Sequence, residues 1–142
     1  MLSDCRLFTG PEPNLIASIR IDKPMLTLAE SLLVIVTVVN RGDKEALANP
    51  PESYGCEPAF RVRSAAGSDL TWPPVFCTLQ GYSQVHIPPG DSIVIQRQWS
   101  PTSASGPLPP GSYQLVSSAY GDGKGLVSAP VDFTVIASQV SR

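Results

Sequence analysis

Apolar and polar residues alternate along a succession of short segments, and each segment is stopped by proline, glycine or aspartate. This period-two pattern constrains the chain more than any other feature. Alternation puts successive side chains on opposite faces of an extended strand, so one face is buried and the other wet. Leu15 to Ile21 places Leu15, Ala17, Ile19 and Ile21 against Ile16, Ser18 and Arg20. Ser92 to Trp99 sets Ile93, Ile95, Arg97 and Trp99 against Val94, Gln96 and Gln98. Val131 to Ile136 sets Val131, Phe133 and Val135 against Asp132, Thr134 and Ile136. Ser112 to Ala119 directs Tyr113, Leu115, Ser117 and Ala119 inward. Ala59 to Ser64 alternates Phe60 and Val62 with two arginines, then turns through Ala65-Ala66-Gly67-Ser68 into a short return strand, Asp69 to Trp72.

Ser31 to Asn40 differs, because it is apolar on both faces and rich in β-branched residues. Such a segment suits a central strand. Val75 to Leu79 and Gln84 to Ile87 add two short strands. A helix-compatible patch at Lys44 to Ala48 is ended at once by Asn49-Pro50-Pro51. Eight or nine short strands with turn signals roughly every ten residues predict an all-β, immunoglobulin-like antiparallel β-sandwich. The expected boundaries are a tail at 1–14, the sandwich at 15–137 and a tail at 138–142.

Composition narrows the function classes. The chain's 142 residues suit one domain, and 10 basic against 12 acidic residues give a net charge of −2. That balance lacks the basic patch of a nucleic-acid binder. The longest apolar run, Leu32 to Val39, is broken by Thr37 and is too short to cross a membrane as a helix. No leader-like segment is evident, which fits either a cytoplasmic protein or an exported one after processing.

The sequence offers no catalytic constellation, cofactor loop or metal set. His86 is the sole histidine and no CxxC occurs, so zinc is not expected. Gly121-Asp122-Gly123-Lys124-Gly125 lies between strands and reads as a hairpin turn, not a phosphate loop. The tripeptide Arg41-Gly42-Asp43 reads as a turn after a strand. Cys56 and Cys77 flank the Gly67 hairpin, which is able to bring them together. A bridge would close a loop of about 20 residues and contribute on the order of 3 kcal/mol; two buried thiols are the alternative reading. A bridge implies a periplasmic or extracellular home, and free thiols a cytoplasmic one. Cys5, in Leu2-Ser3-Asp4-Cys5, is either a tail thiol or a lipid-anchor site at the end of a lipobox-like run.

Two proline-rich connections are the expected protein-binding loops. Ser100 to Gly111 is the longest polar connection; prolines hold it extended, with Leu108 between Pro107 and Pro109-Pro110 as a candidate anchor. Asn49 to Gly55 offers Pro50, Pro51 and Tyr54.

Three stretches resemble the bacterial intracellular proteinase inhibitor (BsuPI-type) family. Pro89-Gly90-Asp91-Ser92 precedes a strand ending in Trp99, followed by Gly106-Pro107-Leu108-Pro109-Pro110-Gly111-Ser112-Tyr113. Val36 to Asp43 resembles that family's early strand and turn, and Phe60 to Trp72 its hairpin. The resemblance spans roughly residues 15 to 136 and implies an immunoglobulin-like fold with Tyr113 tying its hydroxyl to nearby backbone. It also implies protease inhibition through an exposed loop. A non-catalytic module that binds another protein, an exported accessory subunit of a larger assembly, is the first expectation, and inhibition is the alternative.

Overall fold

The computed structural model describes residues 14–27, 29–51, 59–70, 84–103 and 105–137. Seven strands carry the two main layers. One sheet takes β1 (Leu15–Ile21), β3 (Leu32–Asn40) and β7 (Ser92–Trp99) in the order β1-β3-β7. The facing sheet takes β2 (Met25–Thr27), β13 (Val131–Ile136), β10 (Gly111–Ser117) and β5 (Phe60–Ser64) in the order β2-β13-β10-β5. The main strands pair antiparallel, whereas β2 runs parallel to β13. The chain therefore switches sheets between Ile21 and Met25. Asp22 fixes that crossover: its N–H donates to the Leu33 carbonyl at 3.2 Å and its Oδ1 accepts from Leu33 N–H at 2.9 Å. First, third and seventh strands facing fifth, tenth and thirteenth is the immunoglobulin plan, with a first strand divided between sheets. The expected all-β sandwich is the observed fold.

Alternation becomes burial as the sequence dictates. The inner row of β3, Leu32, Val34, Val36 and Val38, is at most 1% exposed. It faces Leu115, Val62, Phe133 and Val135 of the other sheet in one core. The outer row of β3 is half-buried, shielded by its two neighbours in the sheet. Aromatic rings close the core: Trp99 meets Phe60 and Phe133 edge-on, at centroid distances of 5.5 and 5.8 Å. Tyr113 stacks on Phe133 at 5.6 Å.

A third sheet extends the sandwich, built from β12 (Lys124–Leu126), β11 (Ala119–Gly121), β4 (Ala46–Ala48) and β6 (Val85–Ile87) in that order. Lys44 to Ala48, helix-compatible by composition, ends in strand because Ala46 and Ala48 are buried and pair with Ile87 and Val85. The segment Ser112 to Ala119 is divided at Ser118, whose N–H donates to the Ala59 carbonyl at 2.8 Å. The hairpin at Asp122-Gly123 is as expected: both residues have positive φ, 50° and 74°, the conformation a two-residue turn between twisted strands requires. Of the expected return strand Asp69 to Trp72, Asp69 bridges Arg63 and its Oδ2 accepts from Arg61 Nε at 2.9 Å, while Thr71 and Trp72 lie outside the described residues. The expected strand Val75 to Leu79 and the two tails, apart from Asn14, lie outside the described residues.

Candidate functional site

The sequence-predicted binding residues separate into three groups. Cys5, Tyr54, Cys56 and Cys77 lie outside the described residues. Pro107, Pro109 and Pro110 are exposed, as expected of a presented loop. Leu108 is not: it is 1% exposed and belongs to the core. The connection is itself folded, with β8 (Thr102–Ser103) pairing β9 (Gly106–Pro107), and Leu108 N–H donates to the Pro101 carbonyl at 3.1 Å. The physical reason is the same alternation seen elsewhere. Pro107 and Pro109 point out, so the residue between them points in. Leu108 is also the one large apolar side chain between Ser100 and Gly111, and burying it is favourable by roughly 2 kcal/mol. Pro50 is likewise buried, not presented, and Pro51 is half-buried, its carbonyl accepting from Arg97 Nη2 at 3.1 Å.

Tyr113 takes the expected corner role. Its hydroxyl donates to the Pro109 carbonyl at 2.5 Å, four residues upstream, at the start of the strand that follows the sheet crossover.

Asn40 has a role the sequence did not reveal. It is fully buried, and its amide makes four hydrogen bonds. Nδ2 donates to the carbonyls of Lys44 and Ile87, both at 2.8 Å. Oδ1 accepts from Gly42 N–H at 2.9 Å and Asn14 N–H at 3.3 Å. An amide has two donors and two acceptor positions, so this side chain is saturated. Gly42 is thus held by Asn40, and Arg41-Gly42-Asp43 forms the turn expected of it.

Beyond that closed end, the third sheet carries an exposed face. Ala46, Ala48, Ala119 and Gly121 point inward and are buried. Gly121 leaves room there for the Leu15 Cδ1 methyl, which a Cβ at this position would push aside. The neighbours with opposite phase point out: Leu47 is 37% exposed, Tyr120 49% and Val127 69%. Gly121 pairs with Ala48, and Tyr120 with Gly125, so Leu47 and Val127 lie diagonally on either side of Tyr120, within reach of long side chains. The Tyr120 ring lies beside Gly125, which has no side chain to cover it. His86 stands opposite Leu47, and its Nδ1 sits 2.8 Å from Glu45 Oε1. Asp122 Oδ1 accepts from Leu47 N–H at 3.2 Å at the same margin. The face offers an aromatic ring and two aliphatic side chains, rimmed by a histidine–glutamate pair and an aspartate. Among the described residues no three His, Cys, Asp or Glu side chains are grouped as metal ligands. No described helix is long and apolar enough to cross a membrane.

No protein-family model and no curated protein matches the chain. Solved structures with a related chain path include a β-glucosidase from Erythrobacter marinus, at 15% identity and a TM-score of 0.49 over 87% of this chain and 16% of that one. A β-glucosidase from Listeria innocua gives 12% identity and a TM-score of 0.48 over 91% of this chain and 17% of that one. The CARDB domain of a Pyrococcus furiosus protein, solved with di-metal ions, gives 15% identity and a TM-score of 0.48 over 87% of this chain and 89% of that one. The chain spans about a sixth of either β-glucosidase.

Proposed function

We propose that the chain is a non-catalytic protein–protein interaction domain, an exported accessory or structural subunit that docks on a larger assembly through the Leu47–Tyr120–Val127 face. The exposure of Tyr120 between two aliphatic side chains carries this reading. A half-exposed tyrosine flanked by aliphatic groups and rimmed by polar ones has the composition of an interface centre, where aromatic residues concentrate binding energy. The strands beneath it are held by main-chain pairing and by Asn40, so the face is preorganised and little ordering opposes binding.

Protease inhibition, implied by the family resemblance, would use the exposed Pro107, Pro109 and Pro110, without Leu108 as the inserted side chain. An oxidising compartment rests on the Cys56–Cys77 pair, and a lipid anchor on Cys5. Alkylation and intact mass of the unreduced chain test the first; the mass of the N-terminal peptide tests the second.

The deciding experiment is affinity capture from the native source with the wild type and with Tyr120→Asp, after both are shown to melt alike. A partner held by the wild type at fixed stoichiometry and released at least tenfold by Tyr120→Asp supports the reading. Equal retention by the variant overturns it. Stoichiometric inhibition of a protease panel, unchanged by Tyr120→Asp, would favour the inhibitor instead.

A further inference from the structure

The outer edge of β1 is a template for another strand. Arg41 N–H donates to the Asn14 carbonyl at 2.8 Å, and Asp22 N–H to the Leu33 carbonyl at 3.2 Å. Hydrogen-bonded pairs in an antiparallel ladder recur at every second residue. Asn14, Ile16, Ser18, Arg20 and Asp22 therefore turn their main-chain groups toward β3. Leu15, Ala17, Ile19 and Ile21 turn theirs toward the outer edge, where no described strand pairs with them. The edge is seven residues long, its register with β3 is unbroken, and it holds neither proline nor an inward charge. Those are two of the devices that normally protect an edge, and the strand's one charge, Arg20, points outward. The inward row is also incompletely covered: Leu15, Ala17 and Ile19 keep 8–9% exposure and Ile21 is half-buried, where the β3 row beside them is at most 1% exposed.

We propose that β1 pairs antiparallel with β1 of a second copy of this chain about a two-fold axis at Ser18, joining two three-stranded sheets into one. Two features of the sequence, read in this register, favour a second copy as the occupant. The first is register. Centring on Ser18 sets Leu15 opposite Ile21 of the second copy and Ala17 opposite its Ile19. All four outward-facing main-chain positions are then used, and each small inward residue meets a large one. The second is charge. The same register sets the exposed Arg20 against Ile16 of the second copy, itself 44% exposed, so the aliphatic stem of the arginine covers an isoleucine and the two guanidiniums stay apart. An interface of one strand pair is at the small end of specific interfaces, so the dimer is weak, with a dissociation constant on the order of 10 µM.

Sedimentation velocity on the full chain, from about 1 to 500 µM, tests this across that range. The wild type should shift from monomer to dimer. Ser18 is exposed and its main chain faces β3, so Ser18→Lys and Ser18→Glu should fold and melt like the wild type. Each places like charges face to face on the axis and should weaken the dimer at least tenfold. An equimolar mixture of the two should restore it. Ala17→Pro removes an N–H that faces the open edge, and should also give a folded monomer. A wild type that stays monomeric throughout overturns the proposal. So does a Ser18→Lys dimer as tight as that of the wild type, or a mixture of the two variants no tighter than either alone. Dimerisation seen only after removal of residues 1–13 would assign the edge to the chain's own N-terminal segment, and would overturn it too.

Discussion

The Tyr113 hydroxyl and the Pro109 carbonyl are joined by a 2.5 Å hydrogen bond across four residues of chain. The tyrosine ring stacks on Phe133, and burial holds the phenol's pKa above its ordinary value. Pro109 lies next to buried Leu108, so the bond pins the turn that delivers Leu108 to the core. Tyr113→Phe keeps the ring and removes the bond, at a cost of about 1 kcal/mol. The sign of the pH effect follows from the raised folded-state pKa. The contribution is fully present below the pKa of an unfolded tyrosine and is lost as pH rises through the folded one. Urea melts of the wild type and Tyr113→Phe should therefore differ at neutral pH and converge in strong alkali; a constant gap would show that the bond does not govern the titration.

Asn40 joins five segments: Asn14 before β1, the end of β3, the turn at Gly42 and Lys44, the end of β6 at Ile87, and the turn at Gly90-Asp91. Asn40→Leu preserves much of the volume and leaves these main-chain groups without their partner. The expected loss is about 3 kcal/mol or more, since buried groups left unmade carry their full desolvation cost. Asn40→Asp should be equally damaging, because a carboxylate has no proton to give the Lys44 and Ile87 carbonyls. Denaturant midpoints check both; a loss below about 1 kcal/mol for either variant would mean that water replaces the amide.

The long strands were legible because five or more alternating residues outvote any single exception. Leu15 to Ile21, Ser92 to Trp99 and Val131 to Ile136 each repeat the pattern enough to show their inner face. The three-residue strands β2, β4 and β12 offer too few positions for a period, and their pairing is set by neighbours distant in sequence. Lys44 to Ala48 contains good helix formers, yet the burial of Ala46 and Ala48 beside β6 decides its state. Asn40 ends an apolar run and looks like the first residue of a turn; nothing local reveals that it meets Ile87, 47 residues away. Leu108 was misplaced because flanking prolines suggest exposure, whereas here they impose the extended geometry that turns it inward. The exposed Leu47–Tyr120–Val127 face was missed because Tyr120 acquires its neighbours by strand pairing, and the two-residue turn at Asp122-Gly123 was the one available signal.

Leu108→Ala tests the core role of the proline-flanked connection. Deleting a fully buried leucine side chain costs about 2–5 kcal/mol, with the larger values where the site cannot collapse. The rigid flanking prolines and the Tyr113 bond hinder collapse here, so the upper half of that range is expected. Exposed Pro109→Ala should cost far less. If Leu108→Ala instead leaves the melting temperature unchanged, the side chain is not packed as described and the loop regains its standing as a presented segment.

Glu30 gives the fold an acid-sensitive tie at the turn between β2 and β3. Its Oε1 accepts from Thr27 N–H at 2.7 Å, and its Oε2 lies 3.7 Å from Lys23 Nζ. The Thr27 main-chain bond, and then the Lys23 charge, hold the carboxyl below its ordinary pKa. A lowered folded-state pKa means that the stabilisation is present above the unfolded carboxylate value and is lost as pH falls through the folded one. Glu30→Gln keeps an oxygen for Thr27 N–H but carries no charge for Lys23. The wild type should therefore exceed Glu30→Gln in stability at neutral pH by a small margin. That margin should shrink in acid, as the carboxyl takes up its proton, and also in high salt, which screens Lys23 from the carboxylate. Chemical melts from neutral to acid pH read this directly. A margin independent of pH would show that the glutamate acts through its shape and hydrogen bond, with its charge contributing nothing.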